Sequence, residues 1–255
     1  MRKSFLRWAL FSLLTSLIVL INSCFSSDEM LDQEYIANLV FMQGHLVVGN
    51  QLRTEGSADL AKVHLGHPIE EQYFLIKKEI IARDDQPFEE ELKEMYGIFR
   101  AYPSHEKIDE YYRNIQQKID TSVAKVLTKH NYSTEVVLAV ISQLLFQASI
   151  EYQDSITKNL VSSKANTVDY KVVELPEYQD SWGFITVAKS LVEKSMHVDE
   201  TYSVILDEID NLLEFLPSPN PPSRPDNPQI FRDKVALIQE QYLSKYAIDS
   251  GAITY

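Results

Sequence analysis

Cysteine is nearly absent from this chain of 255 residues: Cys24 is the single one. Disulfides therefore cannot hold the fold, and stability has to come from buried apolar surface, which a hydrophobic content of 45% permits. Glycine is also scarce, at 7 residues, and alternation of the β type is rare. Basic residues are in deficit, with 24 Lys and Arg against 37 Asp and Glu and a formal charge of -13. That balance argues against nucleic acid as a partner and favours cations at the surface. The sequence holds no Gly-rich phosphate loop, no Gly-x-Ser-x-Gly elbow, no His-Glu-x-x-His and no Glu-x-x-His. No nucleophile–base pair is visible, so the expectation is a protein that is not an enzyme.

What is present begins with an address. Arg2, Lys3 and Arg7 precede an apolar run from Trp8 to Ile21, the pattern of a signal peptide over residues 1–23. The run ends at Ile21-Asn22-Ser23-Cys24, which resembles the bacterial lipoprotein box. Lipidation at Cys24 is expected ahead of ordinary cleavage near Ser26. The chain is then exported to the periplasm or cell surface and held at a membrane by a lipid anchor. The leader carries three basic residues and no acid, so its removal leaves a still more acidic protein. No second span of 18 or more apolar residues is read after it.

From about Asp28 onward, helical periodicity dominates. Apolar residues recur at three- and four-residue steps from Asp28 to Arg53, then after Ser57, and after Pro87, Ser104 and Ser133 or Thr134. The stretch around Val136 to Leu145 reads as the central buried helix. Lys171 to Pro176 reads as a short extended crossover. Helices are expected from about Gln179 to Met196 and from Val198 to Leu216. Six of the 10 prolines fall between Leu216 and Pro228, a stiff connector over 216–228 before a last helix over 229–246. The fold class is all-α: one domain over 24–255, a bundle of antiparallel hairpins with about seven to nine helices.

The histidines carry the functional signal. Of 6 in the chain, His45, His64 and His67 flank one predicted hairpin whose bend is Thr54-Glu55-Gly56-Ser57. His45 and His67 stand eleven residues either side of Gly56. On antiparallel helices both lie about 16 Å from the turn and level with each other. His64 is one turn from His67, and Glu70 and Glu71 follow. Neutral imidazoles beside carboxylates suit a transition metal, iron favoured, with zinc and copper left open. Pro68 predicts a kink or restart of the helix at His67, with Pro68 in a first helical turn.

A second constellation is a repeat. Glu151-Tyr152-Gln153-Asp154-Ser155 returns as Glu177-Tyr178-Gln179-Asp180-Ser181. Glu151 with Asp154, and Glu177 with Asp180, are i,i+3 pairs; facing each other, they form a second-rank metal site of four carboxylates. The plainer reading places both copies at helix N-termini, where acids favour the macrodipole.

The run Leu65-Gly66-His67-Pro68-Ile69-Glu70 resembles the signature of the imelysin-like family, through His67 and Glu70. That resemblance implies an exported helical bundle linked to iron uptake. Together these readings describe a tethered helical protein that captures or delivers a metal. The competing expectation is a helical lipoprotein that acts as a scaffold or assembly partner without metal, engaging a protein through its C-terminal region.

Overall fold

The computed structural model describes residues 27–130, 134–159, 169–196 and 201–243. The signal peptide, Cys24, the Ser26 cleavage site and a cap at Ser133 lie outside these residues, as does the end of the last helix near Tyr246. The described chain is an all-α helical bundle, as the periodicity predicts. Its helices are α1 (Ser27–Thr54), α2 (Ala58–His67), α3 (Tyr73–Ala82), α4 (Glu89–Ala101), α5 (Lys107–Lys129), α6 (Thr134–Ser155), α7 (Leu175–Ser195), α8 (Thr201–Leu213) and α9 (Pro228–Ile238).

α1 and α2 form the expected hairpin. Gly56 has φ +82°, a left-handed conformation that glycine adopts without strain. Its N–H bonds the Arg53 carbonyl at 3.0 Å and the next N–H, of Ser57, bonds the Leu52 carbonyl at 2.8 Å. Those two bonds end α1 in a Schellman motif and turn the chain back. Asp84 at φ 54° ends α3 in the same way, with Asp85 N–H on the Ile80 carbonyl.

Pro68 does not break the rod. It does take the first position of its segment, as expected, but the segment is a π-helical turn, Pro68–Gln72, lying between α2 and α3. Pro68 has no N–H for the usual bond four residues back, and the Tyr73 N–H instead reaches the Pro68 carbonyl five residues back. His67 and Pro68 both keep right-handed helical angles, so α2, the π turn and α3 follow one another without a corner.

α6 passes the length and composition test for a membrane span over Thr134–Ser155, against the reading that no further such stretch exists. In the fold it is the expected central helix: Val136, Val137, Val140, Ile141, Leu144, Leu145 and Ala148 are buried, and it packs against α1, α7 and α9. The extended crossover read at Lys171–Pro176 is extended only in part: Lys171 and Val172 end the second of two paired strands between α6 and α7, and Leu175 and Pro176 already open α7. Strand Ile156–Asn159 pairs antiparallel with strand Asp169–Val172, Ile156 opposite Val172. The pair returns α7 along α6 and brings the two repeat copies together at one end. The proline-rich segment lies across the bundle with Leu216, Pro219 and Pro225 buried. Phe231 of α9 then stacks 4.6 Å from Tyr152.

At the N-terminal end of α1, Asp32 is buried and takes bonds from Arg83, Lys129 (2.8 Å) and His130 (2.7 Å). Burial alone would raise its carboxyl; the hydrogen bonds from Lys129, His130 and Arg83 outweigh that and hold it below the ordinary 3.8. A carboxyl depressed by folding stabilises above its unfolded pKa, and that contribution fades as pH falls toward the folded one. Asp32→Asn should therefore lower stability by about 2–3 kcal/mol at neutral pH. Urea denaturation over a pH series should show the gap to the parent protein narrowing as the pH drops below 3.8.

Candidate metal centre

Three helices supply the site. The α1–α2 hairpin brings His45 and His67 level, as the spacing about Gly56 predicts: their Nδ1 atoms lie 3.3 Å apart and their ring centroids 4.7 Å apart. His64, one turn back on α2, has its ring centroid 6.0 Å from that of His67. The fourth member is Asp180, from the first turns of α7. Its Oδ1 lies 2.7 Å from His45 Nδ1 and 2.8 Å from His64 Nδ1, and its Oδ2 lies 4.0 Å from His67 Nδ1. His45, His64 and Asp180 are buried and His67 is nearly so, at 12% side-chain exposure.

The approach of α7 to α1 depends on two glycines. A Cβ built on Gly183 would lie 2.7 Å from the Gly44 carbonyl oxygen, and one on Gly44 would lie 2.6 Å from the Phe184 ring. Both distances are too short for a side chain. Backbones that meet this closely set Asp180 one turn before the crossing against His45, next to Gly44.

His64 Nε2 lies 2.8 Å from the Gln179 side-chain amide and His64 Nδ1 lies 2.8 Å from Asp180 Oδ1. An amide offers both a donor and an acceptor, so a neutral His64 that donates from Nδ1 to Asp180 and accepts at Nε2 satisfies both contacts, as does an imidazolium facing the amide oxygen. Burial opposes charge on His64, but the Asp180 carboxylate and the Gln179 bond raise its pKa above 6.5. Burial would also raise Asp180; His45 and His64 hold it well below the usual carboxylate range instead. His67 is pulled down to about 3, first by burial and then by the neighbouring His45, and so is neutral near pH 7.

The set fits a metal. The four ligand atoms lie within 4.8 Å of one another, and a tetrahedral ion with bonds of roughly 2.1 Å separates its ligands by roughly 3.4 Å. The His45–His67 separation matches that figure, and the two shorter contacts to Asp180 need to open by well under 1 Å (roughly). Three nitrogens and one oxygen suit iron, zinc or copper. Gln179, bonded to the far nitrogen of His64, orients a ligand ring in the usual manner of an outer partner.

The remaining sequence candidates divide. Glu71 is half-buried at the rim. Burial raises its carboxyl, opposed by His45 and supported by Glu70 and Asp180, which places it within electrostatic reach of the four. Glu70 is exposed, its carboxylate beside Gly66 near the Tyr96 hydroxyl. The two repeat copies do face each other across α6 and α7, with Tyr152 and Tyr178 ring centroids 6.1 Å apart. Glu151 and Glu177 share a hydrogen bond, and Gln147 donates to Glu151. Burial and then Glu177 and Asp180 raise Glu151 well above 4.5. Asp154 is exposed, within electrostatic reach of Glu177. Asp180 turns to the histidines, so the four carboxylates do not form one cluster. The N-terminal placement holds for the second copy alone; the first ends α6. Gln179 was not among the expected site residues, although it lies within the repeat.

Gly183→Ala tests the geometry. Its new methyl must push α1 and α7 apart, which should lower stability by about 1–3 kcal/mol in chemical denaturation. A change below a few tenths of a kcal/mol would show that the close crossing is not required.

Residues 128–248 match the model of a family described as the iron permease-associated 4-helix bundle domain. No match was found among curated proteins or among solved structures. The matched part runs from the end of α5 to beyond α9, and so contains Asp180, Gln179, Glu151 and Glu177; the three histidines lie outside it. The match supports an iron-related helical-bundle family, the coarse content of the imelysin-like resemblance, through a different family from imelysin.

Proposed function

We propose that this protein binds one transition-metal ion, iron in preference to zinc or copper, through His45, His64, His67 and Asp180. Glu71 completes or gates the coordination at the rim. The observation that carries this reading is the buried Asp180 carboxylate, with ring nitrogens of His45 and His64 at 2.7 and 2.8 Å and that of His67 at 4.0 Å. A buried anion ringed by nitrogen donors is what a cation site offers. The preference for iron rests on the family match over 128–248, whose description concerns iron permeases.

Iron here is cargo. The role is capture or delivery to a membrane iron permease, without turnover. The leader pattern and Cys24 support export and a lipid anchor, with the helical body in the periplasm or at the cell surface. The imelysin-like signature at His67 and Glu70 supports the same iron-uptake setting.

Anaerobic titration of the purified chain with Fe(II), read by calorimetry and by elemental analysis after desalting, should give one ion per chain. His67→Ala and Asp180→Asn should each weaken binding by about 100-fold or more. Bound metal should also raise the thermal midpoint, since the folded state alone carries the site. Unchanged metal content in both variants would reject the site.

A further inference from the structure

The three imidazoles share an orientation. Nδ1 of His45 and Nδ1 of His64 lie 2.7 and 2.8 Å from Asp180 Oδ1, and Nδ1 of His67 lies 4.0 Å from Oδ2. The His45 and His67 Nδ1 atoms are 3.3 Å apart. Every ring thus turns to the carboxylate the nitrogen bonded to Cγ, the one nearer its own backbone. Ligation through that nitrogen holds an ion close to the helices that carry the rings, and so requires those helices to approach closely. The meeting of α1 and α7 at Gly44 and Gly183 supplies that approach.

His64 fixes the mode most firmly. It is wholly buried, at 0% exposure, and both of its nitrogens are engaged, Nδ1 with Asp180 and Nε2 with the Gln179 amide. Turning the ring to offer Nε2 to an ion would break both contacts where water does not replace them. Gln179 is itself 1% exposed, and its amide nitrogen meets no hydrogen-bond partner among the described residues. The imidazole is therefore what decides which end of the amide faces it. An ion bound at Nδ1 takes that nitrogen's lone pair and leaves the ring proton on Nε2, which donates to the amide oxygen. A neutral ring with its proton on Nδ1, toward Asp180, is met by the amide N–H instead. Glutamine serves both states, which neither a carboxylate nor an apolar side chain does.

We infer that the ion is ligated through Nδ1 of His45, His64 and His67, and that Gln179 is the positioning residue of the site, its amide reversing between the metal-free and the metal-loaded state of His64. This rests on the metal site proposed above and deepens it. Gln179 does not touch the ion. It acts through His64, holding the ring by its far nitrogen so that Nδ1 stays aimed at the position shared with Asp180. The unpaired amide nitrogen is then the consequence of a side chain that has to offer either end to one ring.

The full chain, isotope-labelled at its histidine nitrogens and saturated with Zn(II) as a diamagnetic probe, tests the mode. Long-range proton–nitrogen correlation spectra should show a metal-bound Nδ1 and a protonated Nε2 in all three rings. The role of Gln179 is read from Fe(II) affinity in two variants. Gln179→Leu removes both ends of the amide and should weaken binding about 10- to 100-fold. Gln179→Glu keeps an acceptor for the Nε2 proton and should bind at least as tightly as the parent chain. Zn(II) bound through Nε2 of any of the three would overturn the inference and leave the site standing. Three rings unmoved by saturating Zn(II) would overturn the site, and the inference with it. No loss in Gln179→Leu, or equal losses in both variants, would reduce Gln179 to packing and overturn its positioning role. The spectra use the parent chain, so they decide the mode even where Gln179→Leu fails to fold.

Discussion

A carboxylate almost wholly withdrawn from water governs this molecule. Asp180 is buried, and an isolated buried charge is too unfavourable to persist without compensation. His45 and His64 supply that compensation at hydrogen-bond distance. They do so only because α7 meets α1 at a pair of glycines and a Schellman turn folds α2 back along α1. Each of these features lacks an evident purpose alone. Together they place one buried anion among three imidazoles.

Charge around this centre is graded outward. Glu151 and Glu177, the matched acids of the two repeat copies, share a hydrogen bond beside it, and burial favours a proton on Glu151. That proton limits the negative charge next to Asp180. Farther out, Asp154 and Glu70 are exposed and hydrated. The acidic excess of the chain sits at the surface, where it raises the local concentration of cations.

The π turn joins site and surface mechanically. Pro68 removes a helical hydrogen bond directly after His67, and the extra residue in the turn satisfies the backbone without bending the rod. α3 leaves that turn with Tyr73, Ile76 and Ile80 inward. Consequently the orientations of His67 and of the outer apolar face of α3 are set by one continuous element.

Much of this was legible in the residue order. Apolar steps of three and four marked the helices within a few residues, because the period of a helix is a local property. Gly56 followed by Ser57 marked the bend, and equal counts either side of it put His45 and His67 level. The β-hairpin was not legible, since four-residue strands leave too little alternation to read. Nor was the π turn, where sequence gives the missing N–H but not the repair. Asp180 was visible only as one acid in a repeat, and Gln179 not at all as a site residue. Its contact with His45 spans 135 residues, and which face of α7 meets α1 depends on the close packing of Gly44 and Gly183 across the whole bundle. The sequence alone determined the helices, the hairpin and the pairing of two histidines, all fixed by short-range backbone geometry. Only the tertiary structure decided which carboxylate joins them, because that choice belongs to packing between helices distant in the chain.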